Sequence, residues 1–284
     1  MSTKPAAAQF AAVKRELEAQ KLDSVAFAEL CADECDAYVA LLDANVSLPS
    51  KEALSDLEGI VKYLRIASAP PLLLAGFRCL SGNDFEKLLK AILTTHIRYV
   101  VVTNQNPLDV ESRFYEAARL VRDLAAQGKG SAQQLSSAKA KLKELAVVDQ
   151  TLFQASGELT LDRSEAVWLM ARLANKMQSA TKEIGMDKAN LEHVFPQNPT
   201  TASWPNASAL EELTWNIGNL TILGERLNRQ AQNKSFADKK SQCFAKSEIE
   251  MTKRLLNYSA WTEKEIRARA GELIKNLAEL WPSL

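Results

Sequence analysis

The sequence predicts a mainly α-helical fold whose last third holds one small β-hairpin. Two observations lead to this prediction. Apolar residues recur every three to four positions through most of residues 1–185, as they do in helices that bury one face. Near residue 186 this period is lost, and two short apolar runs flank a loop that contains proline, asparagine and glycine. We therefore expect a helical region over residues 1–185 and a second domain over residues 186–284 that ends in helices.

Helix boundaries in the first region follow from residues that interrupt the period. These breakers are Pro49, Pro70, Pro71, Gly82 and Gly128–Ser131. Pro107 with Asp109 behind it is typical of a helix start, because proline suits the first turn and an acid suits the positive helix end. A further amphipathic helix is expected from Leu161 to Ile184, with Gly185 as its cap.

The second domain should contain two strands and then a helix. The strand candidates are Leu191–Phe195 and Asn219–Leu223, and the loop between them carries Pro199 and Pro205. A helix is expected to begin just after Gly224. Helical spacing returns in the last stretch of the chain, where apolar residues recur every three to four positions up to residue 281.

Composition excludes several classes of protein. The 284 residues include 35 basic and 35 acidic side chains, which is against a uniformly basic coat that binds nucleic acid. No apolar run approaches the roughly 18 residues that a membrane-spanning helix needs, and the first residues lack the apolar core of a secretory signal. The four cysteines form no C-x-x-C pair, which argues against a disulfide framework or a cysteine zinc site. We expect a soluble, cytoplasmic protein with reduced cysteines and no membrane partner.

The strongest functional pattern surrounds His193, one of only two histidines in the chain. A single histidine on a strand is usually structural. Here Asn219 opens the second strand candidate, and Asn228 follows nine residues later at the start of the helix candidate. A hairpin followed by a helix can bring the three side chains into one small cleft. The other histidine, His96, lies on an apolar helical face and is expected to pack in the core.

Four strings in this part of the chain resemble the C-terminal nuclease domain of GmrSD-type restriction endonucleases, which belongs to the HNH or ββα-metal superfamily. The strings are EHVFPQ (Glu192–Gln197), IGNLTIL (Ile217–Leu223), LN (Leu227–Asn228) and NKSFADKK (Asn233–Lys240). A later W-T-x-x-x-I-x-x-R string, Trp261–Arg269, is similar to a flanking region of the same proteins. The resemblance covers about 70 residues at the level of motifs, and its specificity lies in the joint pattern. It implies a small ββα-metal, HNH-like centre within the mainly α fold.

The resemblance also implies metal-dependent hydrolysis of phosphodiester bonds. His193 matches the general base that takes a proton from the attacking water. Asn228 matches the helical ligand of one Mg²⁺ or Mn²⁺ ion, and Glu192 lies where many members have a second, acidic ligand. Asn219 matches the catalytic-site asparagine that holds the loop carrying the histidine. The alternatives are a strand-entry role for Asn219, a helix-face or N-cap role for Asn228 and ordinary surface charge for Glu192.

A basic segment between residues 226 and 246 indicates contact with nucleic acid. It holds six basic side chains and one acid, a net charge of +5 within a neutral chain. We expect five of these to contact DNA: Arg226, Arg229, Lys234, Lys239 and Lys240. The alternative is that they are solvated charges on helices. Trp204 and Trp215 could stack on bases, but core packing is favoured.

The resemblance implies double-stranded DNA as the partner, including modified phage DNA, in a bacterial restriction or phage-defence system. Full-length relatives usually pair this nuclease with a ParB-like domain that handles nucleotides and carries a D-G-Q-Q-R-like string, which the chain lacks. We therefore expect either that the sequence is the C-terminal part of a longer protein or that a separate subunit supplies that domain. Residues 1–185 would then be a linking or sensing module. The alternative function is a catalytically inert module that binds nucleic acid or another protein on the nuclease scaffold.

Overall fold

The computed structural model describes residues 23–178 and 190–284 and five positions between residues 11 and 18. The chain divides into two compact units, residues 1–47 and residues 48–284. The first unit holds helix α1, Ser24–Leu42, which begins after Asp23 because that carboxylate accepts hydrogen bonds from the amides of Val25 and Ala26. The helix predicted over Leu161–Ile184 is shorter than expected: it ends at Met177, because the backbone of Gln178 is extended. Ile184, the predicted cap Gly185 and the predicted boundary at residue 186 lie outside the described residues.

The second unit begins with seven helices, and the first five of them begin at or just after a residue predicted to interrupt or start a helix. The seven helices are α2 (Lys51–Glu58), α3 (Pro70–Cys79), α4 (Gly82–His96), α5 (Pro107–Ala126), α6 (Ser131–Lys143), α7 (Asp149–Ala155) and α8 (Arg163–Met177). Gly59–Tyr63 and Ile97–Val102 continue α2 and α4 as π-helical turns. Pro107 occupies the first turn of α5, as predicted. No helix in the described part of the chain is both long and apolar enough to cross a membrane.

One antiparallel hairpin is present among the described residues. Strand β1, Asn190–His193, pairs with β2, Leu220–Leu223, in a register that places His193 opposite Leu220. The fold is therefore mainly α with a small sheet, as predicted. Strand β1 ends at His193 and not at Phe195, because the side chain of Asn219 takes both the backbone N–H and the C=O of Phe195.

Four helices follow the hairpin: α9 (Glu225–Ala231), α10 (Phe236–Gln242), α11 (Glu250–Lys253) and α12 (Glu263–Leu280). Helix α9 begins directly after Gly224, as predicted. Helix α12 begins with a capping box, in which Thr262 and Glu265 bond each other's backbone amides. The two strands, α9 and its preceding turn thus form a ββα unit.

Two long helices support the hairpin. Helix α8 packs against both strands, and α12 packs across the turn that precedes β2. At Gly218 in this turn a Cβ atom would lie only 1.9 Å from the carbonyl oxygen of Ile266 in α12. Any other residue would push the helix away, so glycine permits this close approach.

The hairpin and its following helices bury one apolar cluster. Its aromatic members are Phe195, Trp204, Phe236, Phe244 and Trp261. Phe195 packs edge-on against Trp204 with the ring centres 5.2 Å apart, and Phe236 stacks on Trp261 at the same distance. A fully buried phenylalanine contributes about 1.5–3 kcal/mol to the free energy of unfolding, so this cluster fixes the hairpin against α10 and α12.

Candidate functional site

A cavity of about 300 Å³ lies beside the hairpin. It is lined by Arg163, Val167, Asn190, Leu191, His193, Gln197, Trp215 and Asn228. Two of the predicted site residues, His193 and Asn228, therefore meet in one cavity. The other two, Glu192 and Asn219, do not line it.

His193, the last residue of β1, is held in the cavity wall by an aromatic contact. Its ring lies edge-on to Trp215 with the centres 4.5 Å apart. Its Nε2 atom is buried and has no hydrogen-bond partner among the described groups. Burial, and then the charges of Lys239 and Arg163, lower the pKa of His193 from 6.5 to about 4. The imidazole is therefore neutral at pH 7 and can accept a proton.

Asn228 lies inside α9 and presents a second unpartnered atom. Its Oδ1 is buried without a hydrogen-bond partner among the described groups. The N-cap of α9 is Gly224, so the alternative of an N-cap role for Asn228 is wrong. Buried polar atoms in folded proteins nearly always have a partner, so both atoms are open to a water molecule or a ligand in the cavity.

The residues that line the cavity offer few protein ligands for a divalent metal ion. The amide oxygen of Asn228 is a hard donor of the kind that Mg²⁺ accepts. No carboxylate lines the cavity, and the described residues contain no group of three histidine, cysteine or acidic side chains that could hold an ion. An ion here would take Asn228 as its protein ligand and complete its shell with water and phosphate oxygens, which is common for Mg²⁺.

Asn219 positions the segment that follows His193. Its side chain is fully buried. The Oδ1 atom accepts hydrogen bonds from the backbone N–H of Phe195 and from Nε1 of Trp261, and Nδ2 donates to the carbonyl oxygens of Phe195 and Thr214. These four bonds of 2.7–2.9 Å satisfy the amide completely. This is more than a strand-entry role, and it leaves no free atom for direct chemistry.

The string Trp261–Arg269 braces the same turn from α12. Trp261 donates to Asn219, while Nη1 of Arg269 donates to the carbonyl oxygens of Gly218 and Leu220 at 2.6 and 2.7 Å. Burial lowers the pKa of Arg269 to about 10, so it stays charged at neutral pH. The string therefore supports the turn that carries Asn219.

Glu192 lies on the opposite face of β1 from the cavity, in a buried ion pair. Its Oε1 lies 2.6 Å from Nζ of Lys239, which also donates to the carbonyl oxygen of His193 at 2.6 Å. Burial raises the pKa of Glu192 and lowers that of Lys239, and the attraction between the two charges opposes both shifts. Successive strand side chains alternate between faces, so Glu192 cannot follow His193 into the cavity. The metal-ligand role predicted for Glu192 and the DNA contact predicted for Lys239 do not fit this geometry.

Residues 149–276 match the family model of the C-terminal domain of GmrSD restriction endonucleases. This segment is similar to that domain. The match includes the hairpin, the cavity, α8 and most of α12, and it begins upstream of the predicted boundary at residue 186. No curated protein matches the chain significantly. The match indicates a restriction-type nuclease, whose substrate would be DNA.

The five basic residues predicted to contact DNA differ in how deeply they are buried. Arg226 and Arg229 are exposed on α9, where Arg229 also pairs with Glu225 at 3.1 Å. Lys234 and Lys240 are half-buried and donate to Gln242 and to the carbonyl oxygen of Tyr258. Lys239 is fully buried, as described above. Arg226 and Arg229 are thus the predicted contacts that can meet DNA without rearrangement.

Two residues that line the cavity, Arg163 and Trp215, cannot be recognised as cavity residues from the sequence around them. Arg163 lies 30 positions before His193, at the start of α8, and reaches the cavity only because α8 packs on the hairpin. Trp204 is buried in the core, as predicted, whereas Trp215 is half-buried beside His193. Position in the loop does not distinguish these two tryptophans.

Proposed function

We propose that the GmrSD C-terminal domain hydrolyses phosphodiester bonds of double-stranded DNA with a divalent metal ion. The observation that carries this proposal is the pair of buried, unpartnered atoms, Nε2 of His193 and Oδ1 of Asn228, on two residues that line one cavity. One is a proton acceptor and the other is a hard-metal donor. These are the two protein groups that a one-metal phosphodiesterase needs.

His193 acts as the general base. Its neutral imidazole accepts a proton from a water molecule, whose oxygen bonds to phosphorus as the bond from phosphorus to the leaving sugar oxygen breaks. The leaving oxygen takes a proton from solvent. The contact with Trp215 and the clamp of Asn219 on Phe195 hold the ring in place for this transfer.

Asn228 would hold Mg²⁺ or Mn²⁺ through its amide oxygen. The ion, when bound, stabilises the negative charge that develops on the scissile phosphate and on the leaving oxygen. Asn228 would be the ligand from α9, and water and phosphate oxygens would complete the shell of the ion. Binding of metal and binding of DNA should therefore support each other.

The biological role follows from the family. We propose a bacterial restriction or phage-defence enzyme of the cytoplasm that acts on invading DNA, including modified DNA. The exposed Arg226 and Arg229 contact the backbone of the duplex. The helices before residue 149 link the nuclease to a sensing function, which a ParB-like nucleotide-handling domain or subunit would supply.

Cleavage of plasmid DNA tests the proposal. The purified chain should nick or cut plasmid in Mg²⁺ or Mn²⁺, and EDTA should abolish the activity. His193→Gln should lower the rate by about 10²–10⁴ while DNA binding persists. His96→Gln is the matched control, because it removes the only other imidazole and lies outside the cavity. Wild-type cleavage by His193→Gln would contradict the assigned base, and DNA binding without any metal-dependent cleavage would favour the inert module.

A further inference from the structure

Arg163 is the one charged side chain that lines the cavity, within the residues that the structure describes. It is exposed, and its guanidinium forms no ion pair with any residue that the structure describes. Arg163 therefore gives the described lining of the cavity one positive charge. A cavity of this charge is suited to an anion.

The acidic neighbours of Arg163 along the chain are engaged elsewhere. The carboxylate of Asp162 accepts hydrogen bonds from the backbone N–H of Glu165 at 2.8 Å and from the hydroxyl of Ser164 at 3.0 Å. The carboxylate of Glu165 accepts the backbone N–H of Asp162 at 3.1 Å. This capping box fixes the start of α8 and directs both carboxylates to backbone and hydroxyl donors, so neither forms an ion pair with Arg163.

The position of Arg163 relative to His193 is set by the backbone. Arg163 is the first residue of α8, which packs on both strands, and the adjacent Ser164 donates to the carbonyl oxygen of Tyr63 at 2.8 Å. The charge of Arg163 is close enough to contribute to the lowered pKa of His193. Arg163 therefore faces the same small volume as the proposed base.

We propose that Arg163 forms an anion site in this cavity that binds the non-bridging oxygens of a phosphodiester next to His193. A guanidinium matches the two oxygens of a phosphate with parallel N–H groups, which a lone point charge does not do. This site deepens the proposed function, since the bound diester would be the one that His193 and its water attack. Arg163 would strengthen its bonds as negative charge grows on the phosphate.

Arg163 differs in this respect from the arginines of the basic segment. Arg229 is on the surface of α9 and pairs with Glu225, and neither Arg226 nor Arg229 lines the cavity. We assign general affinity for the duplex to these two and the reacting phosphate to Arg163.

Nuclear magnetic resonance of the two imidazoles tests the anion site without relying on cleavage. The chain has two histidines, so the His193 signals can be assigned by comparison with the His193→Gln protein. Diethyl phosphate, a soluble phosphodiester, should shift the His193 signals of the metal-free, full-length protein and leave those of His96 unchanged. Arg163→Gln should raise the dissociation constant for diethyl phosphate by at least about tenfold.

Arg119→Gln is the control for loss of one positive charge, because Arg119 is exposed on α5 and lies outside the cavity lining. It should bind diethyl phosphate as the wild type does. An equal affinity of Arg163→Gln and wild type, or no shift of His193 in the wild type, would overturn the proposal. Inorganic phosphate is the second probe, and a shift with it alone would overturn the assignment to a diester.

Cleavage kinetics separate this inference from the proposed function. If the chain cuts plasmid in Mn²⁺, Arg163→Gln should lower kcat by about 10²-fold or more, and Arg163→Lys should lie between it and the wild type. A change in KM alone would show that Arg163 provides general affinity only and would overturn its role at the reacting phosphate. If the wild type does not cut DNA, the proposed function fails, while the resonance experiment still decides whether Arg163 binds a phosphodiester.

Discussion

The imidazole of His193 binds a proton weakly because it is buried and lies near two cations. Its pKa falls from 6.5 to about 4, so the neutral form that accepts a proton is present at every pH well above 4. We expect the rate of cleavage to stay level on the acidic side down to about pH 5 and to fall only as the pH approaches 4. Single-turnover cleavage of plasmid between pH 4.5 and 8 measures this. An acidic limb centred near 6.5 would show that the imidazole is solvated in the active enzyme.

The single amide oxygen of Asn228 makes the metal affinity sensitive to one substitution. Asn228→Ala should raise the Mn²⁺ concentration for half-maximal cleavage by at least about 10–100-fold. Substituting a residue that only supports a metal ligand already lowers metal affinity by this factor. Excess Mn²⁺ should restore part of the rate, because the base remains. Asn228→Asp, which keeps the oxygen and adds a charge, should need less metal than Asn228→Ala. Equal metal dependence in all three proteins would show that Asn228 holds no ion.

At the scale of elements, the ion pair of Glu192 and Lys239 joins β1 to α10. Lys239→Met should lower the free energy of unfolding by about 3–5 kcal/mol, because it leaves the buried carboxylate of Glu192 without its partner. The double variant Lys239→Met with Glu192→Leu should recover most of that loss, since an apolar pair of similar volume avoids the cost of burying charge. Urea unfolding of the three proteins measures both effects.

Lys234→Met is the control for Lys239→Met, since Lys234 is half-buried and donates to the neutral amide of Gln242. Its free energy of unfolding should change by less than that of Lys239→Met. A double variant as unstable as Lys239→Met alone would mean that the contact between Lys239 and the carbonyl of His193, and not the ion pair, provides the stability.

Local signals predict the elements of this site better than they predict its side-chain partners. Gly224 marks the start of α9, and alternation along β1 places Glu192 and His193 on opposite faces. The end of β1 depends instead on the amide of Asn219, which captures Phe195 across 24 residues. The partner of Glu192 lies 47 residues away, so no spacing within the motif shows that the strand is buried on that side.

The same limit applies to the cavity. His193 and Asn228 belong to one contiguous ββα unit, and their meeting could be predicted from the order of the motifs. Arg163 comes from a separate helix, and only the packing of α8 on both strands brings it there. Residues that reach a site through packing between elements leave no periodic trace in the sequence.

At the scale of the whole molecule, we expect this neutral chain to bind DNA through a small part of its surface. Equal numbers of basic and acidic residues give no general attraction for a polyanion. Of the five basic residues predicted to contact DNA, Arg226 and Arg229 are exposed, while the three lysines are buried or half-buried. Affinity should therefore fall with salt less steeply than five phosphate contacts would require, since each contact contributes a slope of about −0.9.

The groups that carry the proposed chemistry also bear on which DNA is cut. Proton transfer by His193, metal binding by Asn228 and the anion site at Arg163 all act on the sugar–phosphate backbone, which is the same in modified and unmodified duplexes. Base identity is read through contacts to base edges, which none of these three roles provides. We therefore expect this 284-residue chain to cut modified and unmodified DNA of one sequence at rates that differ by less than about tenfold. Parallel cleavage of both substrates at equal salt measures this ratio. A strong preference for modified DNA would place the discrimination within this chain and not in a partner that senses the modification.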